Sequence, residues 1–318
     1  MHIGMIGLGK MGGNLVRRLM RKGHTCVVYD AQKSSIEALV KEGAQGAHDL
    51  ADMLRQLPTP RTVWMMLPAG EITENMVLAL RHLLQSGDIL IDGGNANHKD
   101  DVRRAQDLTP LGIHYMDVGT SGGVWGLDRG YCLMVGGALS AFQRLEPIFR
   151  DLAPGQGEVP LTPGREGLPS TAHLGYLHTG PVGSGHFVKM VHNGIEYGMM
   201  QALAEGFALL DAKKELQLDT AAIGELWRHG SVVRSWLLDL TADALGKNNS
   251  MAGIKPVVAD SGEGRWAVDE AVSLGVPAPV IAMALMTRFA SQGKDDYSAR
   301  LSAMMRAGFG GHAIQADK

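Results

Sequence analysis

Gly7-Leu8-Gly9-Lys10-Met11-Gly12 is the stretch on which the fold turns. It follows the apolar run His2 to Ile6 and opens a helical pattern through Leu15, Val16 and Leu19. In a strand–loop–helix of this kind Gly7 permits the tight turn and Gly9 lets backbone approach a pyrophosphate. Gly12 permits close packing of helix on strand, and the helix N-terminus supplies N–H donors and positive potential. Leu8, Lys10 and Met11 complete the loop. The next apolar run, Cys26 to Tyr29, ends at Asp30, about 20 residues on, where a carboxylate accepts hydrogen bonds from adenosine ribose hydroxyls. A 2′-phosphate would meet that charge, so Asp30 argues for NAD. The bland alternative is an aspartate that only caps a turn.

Outward from this unit, β-type runs alternate with helix-length amphipathic segments, the pattern of a doubly wound parallel sheet with helices on its faces. Strands are expected at His2 to Ile6, Cys26 to Tyr29, Gly46 to Ala47, Arg61 to Met66, Ile89 to Asp92, His114 to Val118 and Cys132 to Val135. Helices are expected between them, as at Ile72 to Leu83 and Lys99 to Leu108. The segment from Ala153 to Gly185 is rich in Gly and Pro and marks a change of architecture near Thr179. Beyond it only helical spacing recurs, at Phe187 to Leu210, Ala221 to Arg228, Val233 to Leu245, Arg265 to Ser273 and Pro277 to Phe289. The reading is a Rossmann α/β domain over 1–178, followed by an all-α substrate and oligomerisation domain over 179–318.

The 318 residues, 45% of them hydrophobic, supply sizeable cores for two domains. No apolar run reaches the ~20 residues of a membrane span and no signal peptide is read, so a cytoplasmic protein is expected. A net charge of -3 gives no global attraction to nucleic acid, and Arg17, Arg18, Arg21 and Lys22 are spaced like the solvated face of one helix. Cys26 and Cys132 sit in apolar, strand-like runs and are expected as buried thiols, not as a disulfide or a metal site. Helices that are apolar nearly all round, such as Pro279 to Phe289, need cover on several sides, and a homo-oligomer follows as a hypothesis.

Lys189, His192, Asn193, Glu196 and Tyr197 fall at i, i+3, i+4, i+7 and i+8, on one helix face. The apolar residues between them suggest burial, and a buried polar stripe needs partners that a substrate can provide. The run Gly185 to Tyr197, GHFVKMVHNGIEY, resembles the signature of the decarboxylating 6-phosphogluconate dehydrogenases, within the β-hydroxyacid dehydrogenase superfamily. The resemblance extends through Asp92-Gly93-Gly94-Asn95, Thr120-Ser121-Gly122-Gly123, Gly264-Arg265-Trp266 and Phe309-Gly310-Gly311-His312, and in length the chain is similar to the short bacterial form.

The resemblance implies oxidation at C3 of 6-phosphogluconate, loss of C1 as carbon dioxide without a metal, and release of ribulose 5-phosphate. Lys189 would take the C3 hydroxyl proton, which requires a neutral amine at that moment, and would then polarise the new ketone; Glu196 would protonate C1 of the enediol. Asn95, Ser121, Gly122, Gly123, His192 and Asn193 would contact the carboxylate and hydroxyls. Tyr197 and Arg288 would hold the phosphate, with Arg306 and His312 supplied by a neighbouring copy. The loop Leu67, Pro68, Ala69 and the residue Asn95 would lie against the cofactor.

Several positions depart from the longer, NADP-using relatives. Asp30 and Ala31 stand where an Asn-Arg pair would meet the 2′-phosphate, and Pro68 replaces a lysine; both changes favour NAD. Ser261 and Glu263 replace a lysine and a threonine that help hold phosphate, and Val124 replaces a glutamate, so Glu263 is expected to turn elsewhere or to belong to a different set of contacts. Two other readings stay open: a 3-hydroxyisobutyrate or tartronate semialdehyde type of β-hydroxyacid dehydrogenase, and a catalytically silent NAD-binding sensor. The first has no need of Arg288, Arg306 and His312, and the second none of Lys189 and Glu196.

Overall fold

Short β-branched and methionine-rich runs that read as strands become the middle of a sheet in the computed structural model, which describes residues 1–157, 159–310, 313 and 315. The strands are β1 (His2–Ile6), β2 (Thr25–Tyr29), β3 (Gln45–Gly46), β4 (Thr62–Met65), β5 (Ile89–Asp92), β6 (His114–Ser121), β7 (Cys132–Gly136) and β8 (Tyr176–Gly180). They form one sheet in the order β3-β2-β1-β4-β5-β6-β7-β8. The first six are parallel, as expected for a doubly wound sheet, while β7 runs antiparallel to β6 and β8 parallel to β7. The break between β1 and β4, where the chain reverses its winding, is where such sheets bind ligands at the strands' C-terminal ends.

Both faces are covered. Ile3, Met5, Trp64, Ile89 and Ile91 enter one core, and Ile6, Val63, Met65 and Leu90 the other. The period of 2 along each strand sends alternate residues to opposite faces, which is why these runs read as almost continuously apolar. The covering helices are α1 (Lys10–Arg21), α2 (Lys33–Lys41), α3 (Leu50–Gln56), α4 (Glu71–Arg81), α5 (His98–Leu108), α6 (Gly126–Arg129) and α7 (Leu139–Leu152). Arg18, expected on a solvated face, instead donates from α1 to the carbonyls of Asp151, Leu152 and Ala153 at the C-terminal end of α7.

The rest is helical: α8 (Ser184–Ala212), α9 (Thr220–Arg228), α10 (Trp236–Lys247), α11 (Glu263–Leu274), α12 (Pro279–Ser291) and α13 (Asp296–Gly310). Asp219 and Ser235 cap α9 and α10 by accepting from Ala222 and Leu238 N–H groups, the usual cap chemistry for an aspartate and a serine. Three features differ from the expectation. β8, the last strand of the sheet, was not foreseen, and the boundary expected near Thr179 falls inside it; α13 was not foreseen either. The chain divides into two compact units, unit 1 being Met1–Met190 and unit 2 Val191–Lys318. Unit 2 has small cores, one around Tyr197, Ala284 and Leu285 and one around Phe207, Leu238 and Leu245. Among the described residues no helix is long and apolar enough to cross a membrane.

Candidate active site

The loop between β1 and α1 is built for close approach. A Cβ on Gly12 would lie 1.9 Å from the Gly7 carbonyl oxygen, whereas one on Gly9 would meet nothing within 4 Å. Among the described residues no side chain caps α1, and its first turn holds no acid, so its first N–H groups and positive end have no capping carboxylate. These residues fit a dinucleotide pyrophosphate. Asp30 does more than foreseen: Oδ2 accepts from Leu8 N–H at 2.6 Å and Oδ1 from Gln32 N–H at 2.8 Å. It both braces the glycine loop and caps its own turn. A carboxylate has about four lone-pair positions, so capacity is left for ribose hydroxyls.

The neighbouring loops gather beside it. A Cβ on Gly7 would meet the Met66 carbonyl oxygen at 2.4 Å, and one on Gly94 the Leu67 carbonyl oxygen at 2.4 Å. The loops after β1, β4 and β5 therefore lie side by side, carrying Leu67, Pro68, Ala69 and the exposed Asn95. Pro68 is fixed by Thr73, whose hydroxyl donates to its carbonyl at 2.8 Å.

Lys189 is placed by a buried charge cluster that the sequence reading did not assign. Asp117 of β6 accepts from Gly183 N–H at 2.7 Å and His186 N–H at 2.8 Å, capping the first turn of α8 from another element. The His186 ring meets Asp101 of α5 at 2.7 Å, Tyr115 donates to Asp101 at 3.0 Å, and Arg104 pairs with Asp92 at 3.1 Å. Asp92 also accepts from Gly94 N–H, next to Asn95. Burial works against a charged ring, but the Asp101 carboxylate, by charge and hydrogen bond, with Asp92 and Asp117 behind it, outweighs burial and pushes His186 up to about 9. Burial pushes Asp101 and Asp117 up as well, against the pull of His186. His186 lies inside the quoted helix motif, but nothing in its spacing names acids 69 and 85 residues away as its partners.

Held this way, α8 comes so close to β6 that a Cβ on Gly119 would lie 2.4 Å from Lys189 Cβ. Lys189 thus rises two residues before Ser121, Gly122 and Gly123. Ser121 pairs across the sheet with Cys132, whose thiol is pushed up by burial and pulled down by the Lys189 charge. The structure therefore brings Lys189 and the Ser121 loop together. Cys26 is buried as expected, but Cys132 is exposed as a residue even though its thiol has enough cover to be pushed up.

Within unit 2, Asn193 is buried and its Nδ2 donates to Glu263 Oε1 at 3.0 Å, while its Oδ1 lies 2.9 Å from His192 Nδ1. Glu263 has turned to the amide. The Arg288 guanidinium lies 3.4 Å from the centre of the Tyr197 ring and donates to the Ala259 carbonyl at 3.0 Å. Tyr197 and Arg288 are thus in contact, guanidinium over ring. Glu196 is half-buried on α8, and Arg306 is exposed on α13; His312 lies outside the described residues.

A glycine-looped α/β unit followed by a helical unit, with a lysine, an amide and an acid along the helix α8 that begins in the first and ends in the second, defines a dinucleotide-dependent oxidoreductase. The family model described as the NAD binding domain of 6-phosphogluconate dehydrogenase matches residues 2–159, and that of the 6-phosphogluconate dehydrogenase C-terminal domain matches 185–315. The chain belongs to the 6-phosphogluconate dehydrogenase family.

A Bacillus subtilis protein named "Putative 6-phosphogluconate dehydrogenase YqeC" is 41% identical over 99% of both chains. An NAD(+)-dependent, decarboxylating 6-phosphogluconate dehydrogenase of Haloferax volcanii is 38% identical over 99% of this chain and 98% of its own. An NADP(+)-dependent one of Bacillus subtilis is 35% identical, and there the match covers 93% of this chain and 62% of the longer relative. Among solved structures, Plasmodium falciparum 6-phosphogluconate dehydrogenase superposes with a TM-score of 0.80 at 27% identity, covering 100% of this chain and 66% of that one. Mycobacterium tuberculosis 3-hydroxyisobutyrate dehydrogenase shares the fold, with a TM-score of 0.70 at 19% identity over 93% of this chain and 94% of its own.

Proposed function

We propose that this chain is an NAD-dependent enzyme that oxidises and decarboxylates 6-phosphogluconate to ribulose 5-phosphate. The observation that carries the reading is the seating of Lys189 against Gly119, beside the Ser121-Gly122-Gly123 loop. That arrangement puts an amine next to backbone and hydroxyl groups suited to a carboxylate. Bound NAD, held by Gly7 to Gly12, Asp30 and the Leu67-Pro68-Ala69 loop, would accept hydride from C3. Lys189 takes the C3 hydroxyl proton as that bond is oxidised. Reprotonated, it polarises the C3 carbonyl, so that the electrons of the C1–C2 bond flow into an enol as carbon dioxide leaves. Glu196 then delivers a proton to the former C2, which becomes C1 of ribulose 5-phosphate. Asn95, Ser121, His192 and Asn193 orient the sugar acid, and Tyr197 with Arg288 takes the phosphate.

Asp30 supports NAD over NADP, because its carboxylate stands at the end of β2 where a 2′-phosphate would be repelled. The family contains enzymes of both kinds. A homo-oligomer, with Arg306 and His312 completing a neighbour's phosphate site, fits α12, where Val280, Met283 and Met286 are exposed at 67%, 64% and 48%. The two free thiols fit a reducing, cytoplasmic setting.

Following carbon dioxide and NADH together, with 6-phosphogluconate and either cofactor, tests substrate, reaction and cofactor at once. Equal yields of both products with NAD are expected. Faster turnover of 3-hydroxyisobutyrate would replace the substrate, and no turnover of either would favour a binding protein.

A further inference from the structure

Glu263 opens α11 at 2% exposure, and its two oxygens have different fates. Oε1 accepts from Asn193 Nδ2 at 3.0 Å, while Oε2 is buried with no hydrogen-bond partner among the described residues. The nearest cation in sequence, Arg265, is spent on Asp260. A buried carboxylate oxygen without a partner is costly, so stability does not explain this residue. Nor does phosphate binding, since an anion would repel another anion there.

What the carboxylate does is fix hydrogens. An ionised carboxylate only accepts, so the Asn193 amide must present Nδ2 to Glu263 and Oδ1 to His192. Amide oxygen also only accepts, so the hydrogen in the 2.9 Å contact between His192 Nδ1 and Asn193 Oδ1 belongs to the ring. A neutral imidazole with Nδ1–H carries its lone pair on Nε2. We propose that Glu263 is a positioning residue that, through Asn193, holds neutral His192 as the Nδ1–H tautomer and so makes Nε2 an acceptor for a substrate hydroxyl. The inference rests on the reading of His192 as a contact of the sugar acid's hydroxyls. It makes Glu263 a determinant of polyol recognition that acts without touching the substrate.

The test uses the full-length protein with 15N-labelled histidine, the His192 signals being assigned by their loss in His192→Gln. Long-range 1H–15N correlations above the ring's titration are expected to show Nδ1 as the protonated nitrogen. In Glu263→Leu the protonated nitrogen shifts toward Nε2, and kcat/KM for 6-phosphogluconate falls about tenfold, the loss of one hydrogen bond's worth, with KM for NAD unchanged. Glu263→Gln, which keeps an acceptor for Asn193, restores the tautomer and brings kcat/KM within about threefold of the parent. An Nε2–H tautomer in the unmodified protein overturns the proposal whether or not the variants fold. Unchanged tautomer and kcat/KM in Glu263→Leu, or equal losses in Glu263→Leu and Glu263→Gln, overturn it too. Absence of 6-phosphogluconate turnover in the parent would defeat the proposed activity, while the tautomer would still decide the role of Glu263.

Discussion

Asp92, Asp101 and Asp117 in unit 1 are as buried as Glu263 in unit 2, yet the two units treat their acids differently. Each unit 1 acid is answered: Asp92 by Arg104 and Gly94, Asp101 by His186 and Tyr115, Asp117 by two backbone N–H groups. Their desolvation is offset locally, and what they gain is the fixed position of the Asn95 loop and of the turn before Lys189. Among the described residues Glu263 is answered on one oxygen alone. Buried acids of the first kind belong to the architecture. One of the second kind is explained by what it orients.

The largest effect that would sharpen this contrast comes from the residue that the unit 1 cluster places. On the proposed mechanism Lys189→Ala should lower kcat by ~10³-fold for both oxidation and decarboxylation, since it would remove the general base and the carbonyl's polarising group together. Calorimetric titration should show NAD binding retained, and unchanged turnover would separate the buried cluster from catalysis.

Next comes the cluster itself. His186→Ala strands Asp101 without its cation and should cost about 3 kcal/mol of unfolding free energy in urea titrations. The sign of the pH effect follows from His186 being pushed above its ordinary 6.5 to about 9. Its contribution is fully present below about pH 6.5 and is lost as pH rises toward 9, so the parent's melting temperature should fall across that window. His186→Asn should flatten the fall, and an equally steep one would show that another group titrates there.

Asp30→Ala should reduce the ratio of kcat/KM for NAD over NADP about tenfold, and should raise KM for both because Leu8 loses its acceptor. An unaltered ratio would leave Asp30 as a brace for the loop alone. The smallest effect bears most directly on the contrast: Glu263→Leu should change unfolding free energy by less than about 1 kcal/mol, because losing a half-answered charge offsets the stranding of Asn193 Nδ2, whereas His186→Ala strands a full charge. Destabilisation by Glu263→Leu as large as that of His186→Ala would place Glu263 with the unit 1 acids and erase the distinction.

The glycine loop, Asp30 and the stripe Lys189, His192, Asn193, Glu196 and Tyr197 were readable from the sequence because each depends on neighbours within one element or one strand–loop–helix, where fixed periods of 2 and 3.6 residues set direction. For the same reason the first seven strands and most helices were visible, while β8 was not. It follows a long Gly- and Pro-rich stretch and is held by pairing with β7, some 40 residues earlier. The reversal of β7 against β6 was equally hidden, since strand direction depends on how the intervening chain returns.

The decisive polar contacts at the candidate site belong to the same class. Asp117 with His186, Asp101 with His186, and Glu263 with Asn193 join residues 69, 85 and 70 positions apart. Local sequence determined which polar residues share one face of α8. Only the tertiary structure decided how that face is held and which way its amide points, because buried charges are satisfied by whatever the fold brings within about 3 Å, a distance along which sequence separation carries no information.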